Sequence, residues 1–451
     1  MFAFSGKRIL ILGAARSGIA CAGLLLKNGA HVTISDNSAK PLLRKELAQL
    51  QSKGILVQTG GHPLSLLSGT DYLIISPGIR SDLPILQKAR LSKIPVLSEI
   101  EVAYTYLACP VIGITGTNGK TTTTSLIGEI FRQAGRKTLV CGNIGLPISA
   151  IAGKTSKRSV VVAEISSFQL ENIVNFRPHI AVMLNITPDH LDRYPGFAAY
   201  ARAKKQINRN QEQDDHAVIN YDDPWSRKSA GKIKARIVFF SRKKILTNGV
   251  FVKNGTVYAA WRGRRRKIIS TSELGIPGPH NLENALAAIA CGIIGHIPLP
   301  SMRKTLRTFR GVAHRLEPVK EVQGVQYIND SKATNVDSVV KALESFKDNI
   351  ILIAGGRDKG SPYLPLAKLV RDKVKALIVL GEAKNKIKKE LGSLTRTFTV
   401  QNLAEAVKLG QQLAVPGDTV LLSPACASFD MFRNYEERGQ VFKEEVKKLI
   451  E

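Results

Sequence analysis

The chain has 451 residues, a mass of 49.1 kDa and a formal net charge of +29. This length is enough for about two to four domains, each with its own core. No stretch approaches about 18 uninterrupted apolar residues, which argues against a membrane-spanning helix. The N-terminal residues lack signal-peptide architecture, and the five cysteines are widely spaced without a C-x-x-C pair. We therefore expect a cytoplasmic protein without a disulfide framework or a zinc site.

The basic excess makes nucleic acid the first macromolecular partner to consider. However, the lysines and arginines are spread over the whole sequence. The densest run, residues 262–267, lies between two strand-like stretches and contains no aromatic residue. We interpret this run as a solvated hairpin loop rather than an RNA-binding patch. A general positive field would also attract anionic small substrates.

Residues 1–108 alternate short apolar runs with helical patterns, which predicts βαβ units and a mainly parallel, Rossmann-like sheet. Gly13 and Gly18 follow the first strand in a turn similar to a dinucleotide fingerprint, with Ala15 in place of the middle glycine. Asp36 ends the second strand, where a ribose-binding acid would stand. Because a methyl group would crowd a pyrophosphate, NAD is disfavoured. A tight turn without a ligand stays an alternative.

Residues 109–312 begin with a glycine-rich run at 113–121, which follows a strand-like segment and precedes a helix predicted over 122–133. Glycines let backbone N–H groups turn toward a polyphosphate, and the helix N-terminus adds a positive dipole end. Lys120 would neutralise the outer phosphates and the Thr121 hydroxyl would bind Mg²⁺. The strict pattern G-x-x-x-x-G-K-[ST] is not met, because Ile114 occupies its first position. Further residues must therefore support an ATP site.

Other side chains in this section also suit metal chemistry. Glu164 ends a predicted strand, where a carboxylate beside a phosphate loop is well placed for Mg²⁺, although an ordinary loop acid stays possible. His190 also follows a strand and could complete a second metal site. Lys204 and Lys205 lie on a helix predicted over 197–207, where surface lysines are the default. In a site with two cations, one of them could instead carry a carbamate as an anionic bridge.

The rest of the central section predicts a small antiparallel insertion and a nucleotide-facing helix. Asn248-Gly249 and Asn254-Gly255 predict two successive hairpins. A helix is expected after Gly278, with Asn281 and Asn284 one turn apart on one face, able to bond a base edge or simply to cap the helix.

Residues 313–451 again alternate strands and helices. Polar motifs flank the predicted strands at 314–315, 330–335, 355–360 and 423–429. Open α/β sheets bind ligands at such strand ends. Lysines, an arginine and several hydroxyls at these positions suit a small di-acid and a phosphate, although salt bridges and turns stay the alternative for each motif.

Together, the loop at 115–121, Glu164, His190, the helix start with Asn281 and Asn284, and His314-Arg315 resemble the ATP-dependent Mur ligase family, which adds amino acids to the UDP-linked peptidoglycan precursor. The similarity runs through essentially the full chain. It implies an α/β protein of three domains: a Rossmann-like UDP-binding domain (1–108), a P-loop ATPase-like domain with a small antiparallel insertion (109–312) and a Rossmann-like amino-acid-binding domain (313–451).

The motifs at 330–335 and 423–430 are similar to the branch of the family that joins D-glutamate to UDP-N-acetylmuramoyl-L-alanine. The Asp-Asn-Pro-Arg motif typical of the diaminopimelate-adding branch is absent from the sequence. The resemblance therefore implies ATP, D-glutamate and this UDP-linked acceptor as substrates.

The resemblance also assigns roles to residues. Catalytic roles fall on Lys120, His190 and Lys204. ATP contacts fall on Gly116, Thr117, Asn118, Gly119, Lys120, Thr121, Thr122, Asn281, Asn284, Arg315, Asp330 and Lys332. Two Mg²⁺ ions would be held by Thr121, Glu164, His190 and a carbamate on Lys204. The UDP-linked substrate would contact Arg16, Ser17, Asp36, Gly78, Asn143, Ser166 and Arg193. D-glutamate would contact Thr334, Lys359, Ser428, Phe429 and Tyr435, the last of which is often Phe in the family.

The implied reaction activates a carboxylate as an acyl phosphate and joins it to an amine, releasing ADP and phosphate. The resemblance further implies a monomer with small-molecule substrates, no membrane span and no required nucleic acid. Another Mur-type amino-acid ligase is the nearest alternative. A nucleic-acid-stimulated P-loop NTPase is more distant, since no helicase or RNA-recognition motif accompanies the charge. An NAD-dependent dehydrogenase would leave the phosphate loop without a role.

Overall fold

A computed structural model describes residues 2–39, 41, 43–261 and 263–449. Contacts divide the chain into two compact units. The first unit comprises Met1–Ile186, Ala201–Glu273 and Asn284–Arg307, and it contains two β-sheets. The second unit comprises Thr187–Tyr200, Leu274–Glu283 and Thr308–Glu451, and it contains a third sheet.

The N-terminal part of the chain forms a five-stranded parallel sheet with helical connections. Its elements are β1 (Arg8–Leu12), α1 (Arg16–Lys27), β2 (His31–Asp36), α2 (Arg44–Gln51), β3 (Leu56–Thr59), β4 (Tyr72–Ile75), α3 (Pro84–Leu91), β5 (Val96–Ser98) and α4 (Glu99–Thr105). The strand order is β3-β2-β1-β4-β5. Residues 9–12 of β1 are buried throughout, as expected for a parallel strand covered on both faces. The predicted Rossmann-like arrangement is confirmed.

The middle part forms a nine-stranded sheet. Its elements are β6 (Val111–Thr115), α5 (Lys120–Gln133), β7 (Lys137–Gly142), α6 (Ile148–Ala152), β8 (Ser159–Glu164), α7 (Ser167–Leu170), β9 (Ile180–Met183), α8 (Phe197–Lys205), β10 (His216–Asn220), α9 (Pro224–Ser229), β11 (Arg236–Ser241), β12 (Gly249–Lys253), β13 (Thr256–Trp261), β14 (Arg264–Ser270), α10 (Pro279–Ile294) and α11 (Leu299–Thr308). The order is β14-β13-β12-β11-β10-β9-β6-β8-β7, and the β12–β13 and β13–β14 pairs are antiparallel. The antiparallel piece therefore extends the main sheet at one end.

Two local predictions in this piece need correction. The hairpin at Asn254-Gly255 is confirmed, because β12 and β13 pair antiparallel across it. The hairpin expected at Asn248-Gly249 is wrong, because β11 and β12 pair in parallel. A Cβ on Gly249 would lie 2.1 Å from the carbonyl oxygen of Phe239. Close approach of the neighbouring strand, and not a two-residue turn, accounts for this glycine.

The basic run at 262–267 also differs from the prediction. Arg262 lies outside the described residues, whereas residues 264–267 form the first half of β14. The loop interpretation is wrong for these four residues, because pairing of β14 with β13 continues to Trp261↔Arg264.

The C-terminal part forms a six-stranded sheet. Its elements are β15 (Glu317–Val322), β16 (Val325–Asn329), α12 (Val336–Glu344), β17 (Ile350–Gly355), α13 (Ala367–Lys373), β18 (Val374–Leu380), α14 (Lys384–Leu391), β19 (Arg396–Thr399), α15 (Leu403–Leu413), β20 (Thr419–Leu422) and α16 (Tyr435–Lys447). The order is β15-β16-β20-β17-β18-β19, parallel except for β15–β16. The carboxyl ends of β16, β20 and β17 therefore meet at one edge, where three of the predicted polar motifs begin.

Across the described ranges, no helix combines the length and apolar character needed to cross a bilayer.

Candidate active site

The phosphate-type loop of the first unit connects β6 to α5. The helix begins at Lys120, two residues earlier than predicted. Gly119 precedes it with a φ of 82°, in the left-handed region that favours glycine, and a Cβ there would lie 2.2 Å from Asn284 Oδ1. Asn185 fixes the loop, because its carbonyl accepts from Thr117 N–H (2.9 Å) and its Oδ1 accepts from Asn118 N–H (2.8 Å). The loop is thus held in shape by neighbouring polar groups.

Two lysine side chains converge on this loop. Lys120 Nζ donates to the carbonyl oxygens of Gly116 (2.8 Å) and Thr117 (2.6 Å). Lys204 Nζ donates to the same Gly116 carbonyl at 2.7 Å, and Lys204 is only 1 % exposed. Lys205, the alternative on α8, instead lies over the Trp225 ring at 5.4 Å. The structure therefore gives different surroundings to Lys204, which the family resemblance selects, and to its neighbour Lys205.

Glu164, the last residue of β8, links the loop to a neighbouring strand. The Thr121 hydroxyl donates to Glu164 Oε2 (2.7 Å), and Asn143 Nδ2 donates to Oε1 (2.9 Å). Glu164 is 2 % exposed. A buried carboxylate beside a hydroxyl fits Mg²⁺, which takes one or two protein oxygens together with substrate phosphates. No group of three or more His, Cys, Asp or Glu side chains suited to a metal occurs in the described part of the chain.

The two asparagines of α10 make different contacts. Asn284 is 4 % exposed, and its Oδ1 accepts from the Thr123 hydroxyl at 3.1 Å. Asn281 Nδ2 donates to the carbonyl of Pro277 at 2.7 Å, before the helix begins. Asn284 thus supports α5, while Asn281 stabilises the entry of its own helix. Thr122, also assigned to ATP, is buried in the first turn of α5.

In the N-terminal sheet, the carboxylate of Asp36 at the end of β2 holds the fingerprint-like turn in place. Asp36 accepts from the backbone N–H groups of Ala14 (2.7 Å) and Ser38 (2.8 Å). A Cβ on Gly18 would lie 1.9 Å from the Gly13 carbonyl oxygen, so the close strand-to-helix turn requires glycine there. The other residues assigned to the UDP-linked substrate on this sheet lie at strand and helix ends: exposed Arg16, half-buried Ser17 and exposed Gly78.

Asn143 and Ser166 follow neighbouring strands of the second sheet. Asn143 contacts Glu164 as described above, and its own N–H donates to the Glu164 carbonyl at 2.9 Å. Ser166 caps α7 in a capping box with Gln169. The Ser166 hydroxyl is therefore already part of a local structural motif.

In the second unit, the buried acid Asp189 organises the segment after β9. Asp189 Oδ1 accepts from the N–H of His190 (2.9 Å) and lies 3.5 Å from Lys359 Nζ, and Oδ2 accepts from Asn335 Nδ2 (3.0 Å). His190 has a φ of 55°, and its carbonyl accepts from Arg193 N–H at 3.0 Å. One carboxylate therefore positions two residues assigned to the site, His190 and Lys359.

Asp330 lies at the shared edge of β16 and β20. Its carboxylate accepts from the Ser423 hydroxyl (2.9 Å) and from Leu316 N–H (3.3 Å). Burial raises the pKa of Asp330 to about 6, and the charge of Arg315 opposes that increase. The predicted convergence of two strand-end motifs is present in this unit.

The remaining assigned residues of the second unit divide by exposure. Lys332 Nζ lies 2.5 Å from the Tyr435 hydroxyl and 4.2 Å from its ring centroid. Thr334 is half-buried and Ser428 is buried, whereas Phe429 is 65 % exposed. Lys332 and Tyr435 therefore form a pair that their separation in the sequence does not suggest.

Asn185 and Asp189 are the residues that sequence reasoning missed. Both belong to the polar run that follows β9, where only His190 and Arg193 received roles. The available signal was their position directly after a strand that neighbours β6 in the sheet.

Comparisons with known proteins agree with this architecture. The N-terminal domain of MurD-like Mur ligases matches residues 7–98, the Mur ligase middle domain matches residues 114–292, and the glutamate ligase domain of Mur ligases matches residues 314–426. The UDP-N-acetylmuramoylalanine–D-glutamate ligase of Pelotomaculum thermopropionicum is 46 % identical over 448 residues, 99 % of this chain and 98 % of the relative. The ligase of the same name from Koribacter versatilis is 46 % identical over 446 residues, with the same coverage.

Solved structures show the same fold at lower identity. A pseudomurein peptide ligase type C from Methanothermus fervidus has a TM-score of 0.61 and 22 % identity, covering 98 % of this chain and 100 % of that chain. The MurF ligase from Thermotoga maritima in complex with ADP has a TM-score of 0.59 and 16 % identity, covering 98 % and 96 %. On the three domain matches and the identity to relatives along 99 % of its length, the chain belongs to the Mur ligase family.

Proposed function

We propose that this protein joins D-glutamate to UDP-N-acetylmuramoyl-L-alanine with hydrolysis of ATP to ADP and phosphate. The observation that carries the proposal is the 46 % identity, over 99 % of the chain, to two ligases named for this product. In this proposal the three domains span residues 1–108, 109–312 and 313–451. The same resemblance supports a cytoplasmic, monomeric enzyme that acts on small molecules and needs no nucleic acid.

The loop of residues 116–122 would hold the ATP phosphates. Its backbone N–H groups and the N-terminus of α5 suit an anion. Lys120 now satisfies two loop carbonyls, and it would turn to the phosphates when they bind, since a phosphate is a stronger partner for an ammonium group than a carbonyl oxygen is. The resemblance also assigns to the nucleotide Asn281, Asn284, Arg315, Asp330 and Lys332.

Thr121 and Glu164 are the residues that would hold Mg²⁺, because their oxygens already lie 2.7 Å apart. Bound Mg²⁺ would neutralise charge on the transferred phosphoryl group. A second ion would need His190 and a carbamate on Lys204. Carbamylation would convert a buried cation beside the Gly116 carbonyl into an anion, and an increase in mass by one CO₂ on the peptide that contains Lys204 would detect it.

The proposed reaction has two steps. A carboxylate oxygen of the L-alanine residue attacks the γ-phosphorus, the bond to the bridging oxygen breaks, and ADP leaves. The D-glutamate amine then attacks the carbonyl carbon of the acyl phosphate, loses a proton and forms the amide, and phosphate leaves with one former carboxylate oxygen. The protein supplies mainly positioning and electrostatic stabilisation.

D-glutamate carries two carboxylates, and the proposed contacts suit a di-acid. Lys359 would pair with one carboxylate, while the hydroxyls of Thr334 and Ser428 would donate to them. Phe429 and Tyr435 would add contacts to the carbon chain. The fixed position of Lys359 beside Asp189 supports its role, because a located ammonium discriminates among carboxylate positions.

The UDP-linked substrate would contact Arg16, Ser17, Asp36 and Gly78 at the first sheet, and Asn143, Ser166 and Arg193 nearer the peptide end. Asp36 supports this assignment, because it orders the turn that carries Arg16 and Ser17.

The test is release of ADP with ATP, UDP-N-acetylmuramoyl-L-alanine and one amino acid at a time. We expect stimulation by D-glutamate, with L-glutamate and diaminopimelate as controls. Stimulation by diaminopimelate instead would assign the chain to another branch of the family. Oxygen-18 placed in the acceptor carboxylate should appear in the released phosphate, and its absence there would refute the acyl phosphate. Lys120→Ala should abolish turnover while the fold is retained.

A further inference from the structure

One segment, residues 225–272, contains basic residues but no acidic residue. These 48 residues contain 14 lysines and arginines and no aspartate or glutamate. The segment carries a net charge of +14, whereas the other 403 residues carry +15. A segment with about a tenth of the residues therefore supplies almost half of the excess.

The fold gathers this segment at one end of the nine-stranded sheet. It comprises most of α9 together with β11, β12, β13 and β14, and β14 is the terminal strand of the sheet order. Of the 13 cationic side chains in the segment that the structure describes, 12 are exposed. We use the name basic face for this set of exposed cations.

Strand β14 supplies the densest part of the basic face. Residues 264–267 are all exposed, although strand alternation would normally bury every second side chain when one face is covered. Alternate side chains on a strand are about 6.6 Å apart. Arg264 and Arg266 therefore lie on one side of the strand and Arg265 and Lys267 on the other, so each side presents two cations at this spacing to an extended polyanion.

Aromatic rings lie among the cations, although the basic run itself contains none. Arg265 lies over the Phe251 ring (5.3 Å), Arg227 over the Tyr221 ring (5.0 Å) and Lys205 over the Trp225 ring (5.4 Å). Trp225 is 39 % exposed. Both tryptophans of the chain, Trp225 and Trp261, belong to the segment.

The segment has no acidic residue of its own that could offset this charge. Lys234 pairs with Glu212 at 3.2 Å, outside the segment. The cations of this face therefore repel one another and favour an anionic partner.

We propose that the basic face binds single-stranded nucleic acid without sequence specificity, apart from the ligase reaction. Phosphates would contact the cations of β14, and bases would stack on the partly exposed ring of Trp261, which pairs with Arg264. Cations beside an accessible aromatic ring are the usual combination for binding single strands. A basic edge strand that only prevents sheet-to-sheet aggregation would need no aromatic partners and would bind no polyanion. An anionic membrane surface would attract the same cations, so phosphatidylglycerol vesicles are the competing ligand in the test.

The experiment uses the full-length protein and a fluorescein-labelled oligouridylate of about 20 nucleotides, a length that covers one or more typical single-strand sites. Anisotropy is measured across a range of KCl concentrations. The main variant is R264Q/R265Q/R266Q/K267Q. A matched control, K368Q/R371Q/K388Q/K389Q, removes four exposed cations from α13 and α14. Because Arg265 covers Phe251, R264Q/R266Q serves as a second variant that keeps this contact.

We expect wild-type protein and the control to bind with a steep salt dependence, and the main variant to bind about tenfold or more weakly. Single strands give a slope of about −0.7 per neutralised phosphate, so losing four contacts should reduce the slope by up to about 3. In R264Q/R266Q, the salt slope should fall by about half as much. Binding should also quench the fluorescence of Trp225 and Trp261. Ligase turnover should persist in every variant.

Four results would overturn the proposal. The first is no binding of the oligonucleotide at low salt. The second is an equal loss in the matched control. The third is competition by ATP or by UDP-N-acetylmuramoyl-L-alanine, which would place the oligonucleotide at the ligase site. The fourth is binding only to phosphatidylglycerol vesicles, which would identify a membrane surface instead.

Discussion

Replacing Asp330 by Asn should stabilise the second unit at neutral pH. The Asp330 carboxylate is 2 % exposed, and burial raises its pKa from 3.8 to about 6 despite nearby Arg315 and Arg438. At about 1.4 kcal/mol per pKa unit, this increase corresponds to about 3 kcal/mol of destabilisation by the ionised group. Asparagine is uncharged and can still accept from the Ser423 hydroxyl, so the variant avoids this cost.

The raised pKa of Asp330 also fixes the direction in which the stability of the chain changes with pH. An acid with a higher pKa in the folded chain binds more protons there than in the unfolded chain, so stability falls as pH rises from 3.8 to about 6. The advantage of Asp330→Asn should therefore be absent well below pH 3.8, grow through this window and stay constant above it. Above this window, we expect Asp330→Asn to raise the free energy of opening by a constant amount of about 1–3 kcal/mol.

Hydrogen exchange of peptides from β16 and β20 measures this opening free energy locally. The local measurement is needed because a chain of several domains does not unfold in one step. Ser423→Ala is the matched control, since it removes a hydrogen bond to Asp330 without changing charge and should destabilise by about 1 kcal/mol. An Asp330→Asn advantage that does not vary with pH, or a variant less stable at pH 8, would refute the reasoning.

Three further substitutions test the two units. Glu164→Gln should lower ligation by about a hundredfold or more in an ADP-release assay, with the thermal midpoint kept, because the amide oxygen can still accept a hydrogen bond but carries no charge for a metal; normal turnover would remove Glu164 from the site. Gly119→Ala should cost about 1–3 kcal/mol in thermal unfolding, since a Cβ in a left-handed conformation would meet Asn284, and Asn284→Ala in the same chain should recover part of that loss. Tyr435→Phe keeps the ring against Lys332 and loses the hydroxyl contact, so the KM for ATP should change by only a few fold, whereas Tyr435→Leu should raise it more; equal effects would show that the ring has no role.

Local sequence rules determined the elements and the loop chemistry of this protein. Apolar runs specified the buried parallel strands, because strands covered on both faces need apolar residues at successive positions. The glycine-rich run specified a left-handed residue before α5, and Asn254-Gly255 specified a hairpin, because each depends on backbone conformations that few residues adopt. Glu164 could be placed at a strand end because the apolar run of residues 160–163 directly precedes it.

Only the tertiary structure decided which distant groups meet. Asp189 binds Asn335 and Lys359 across more than a hundred residues, and Lys332 meets Tyr435, because the strand order is set by packing of whole sheets. Gly249 also shows what local sequence cannot predict. The Asn248-Gly249 pair suggests a hairpin, whereas β12 pairs in parallel with β11. Lys204 and Lys205 are identical in type and adjacent in the chain. Lys204 is buried against the Gly116 carbonyl and Lys205 is only partly buried, because α8 turns one face toward the loop, and that is a property of the assembled fold.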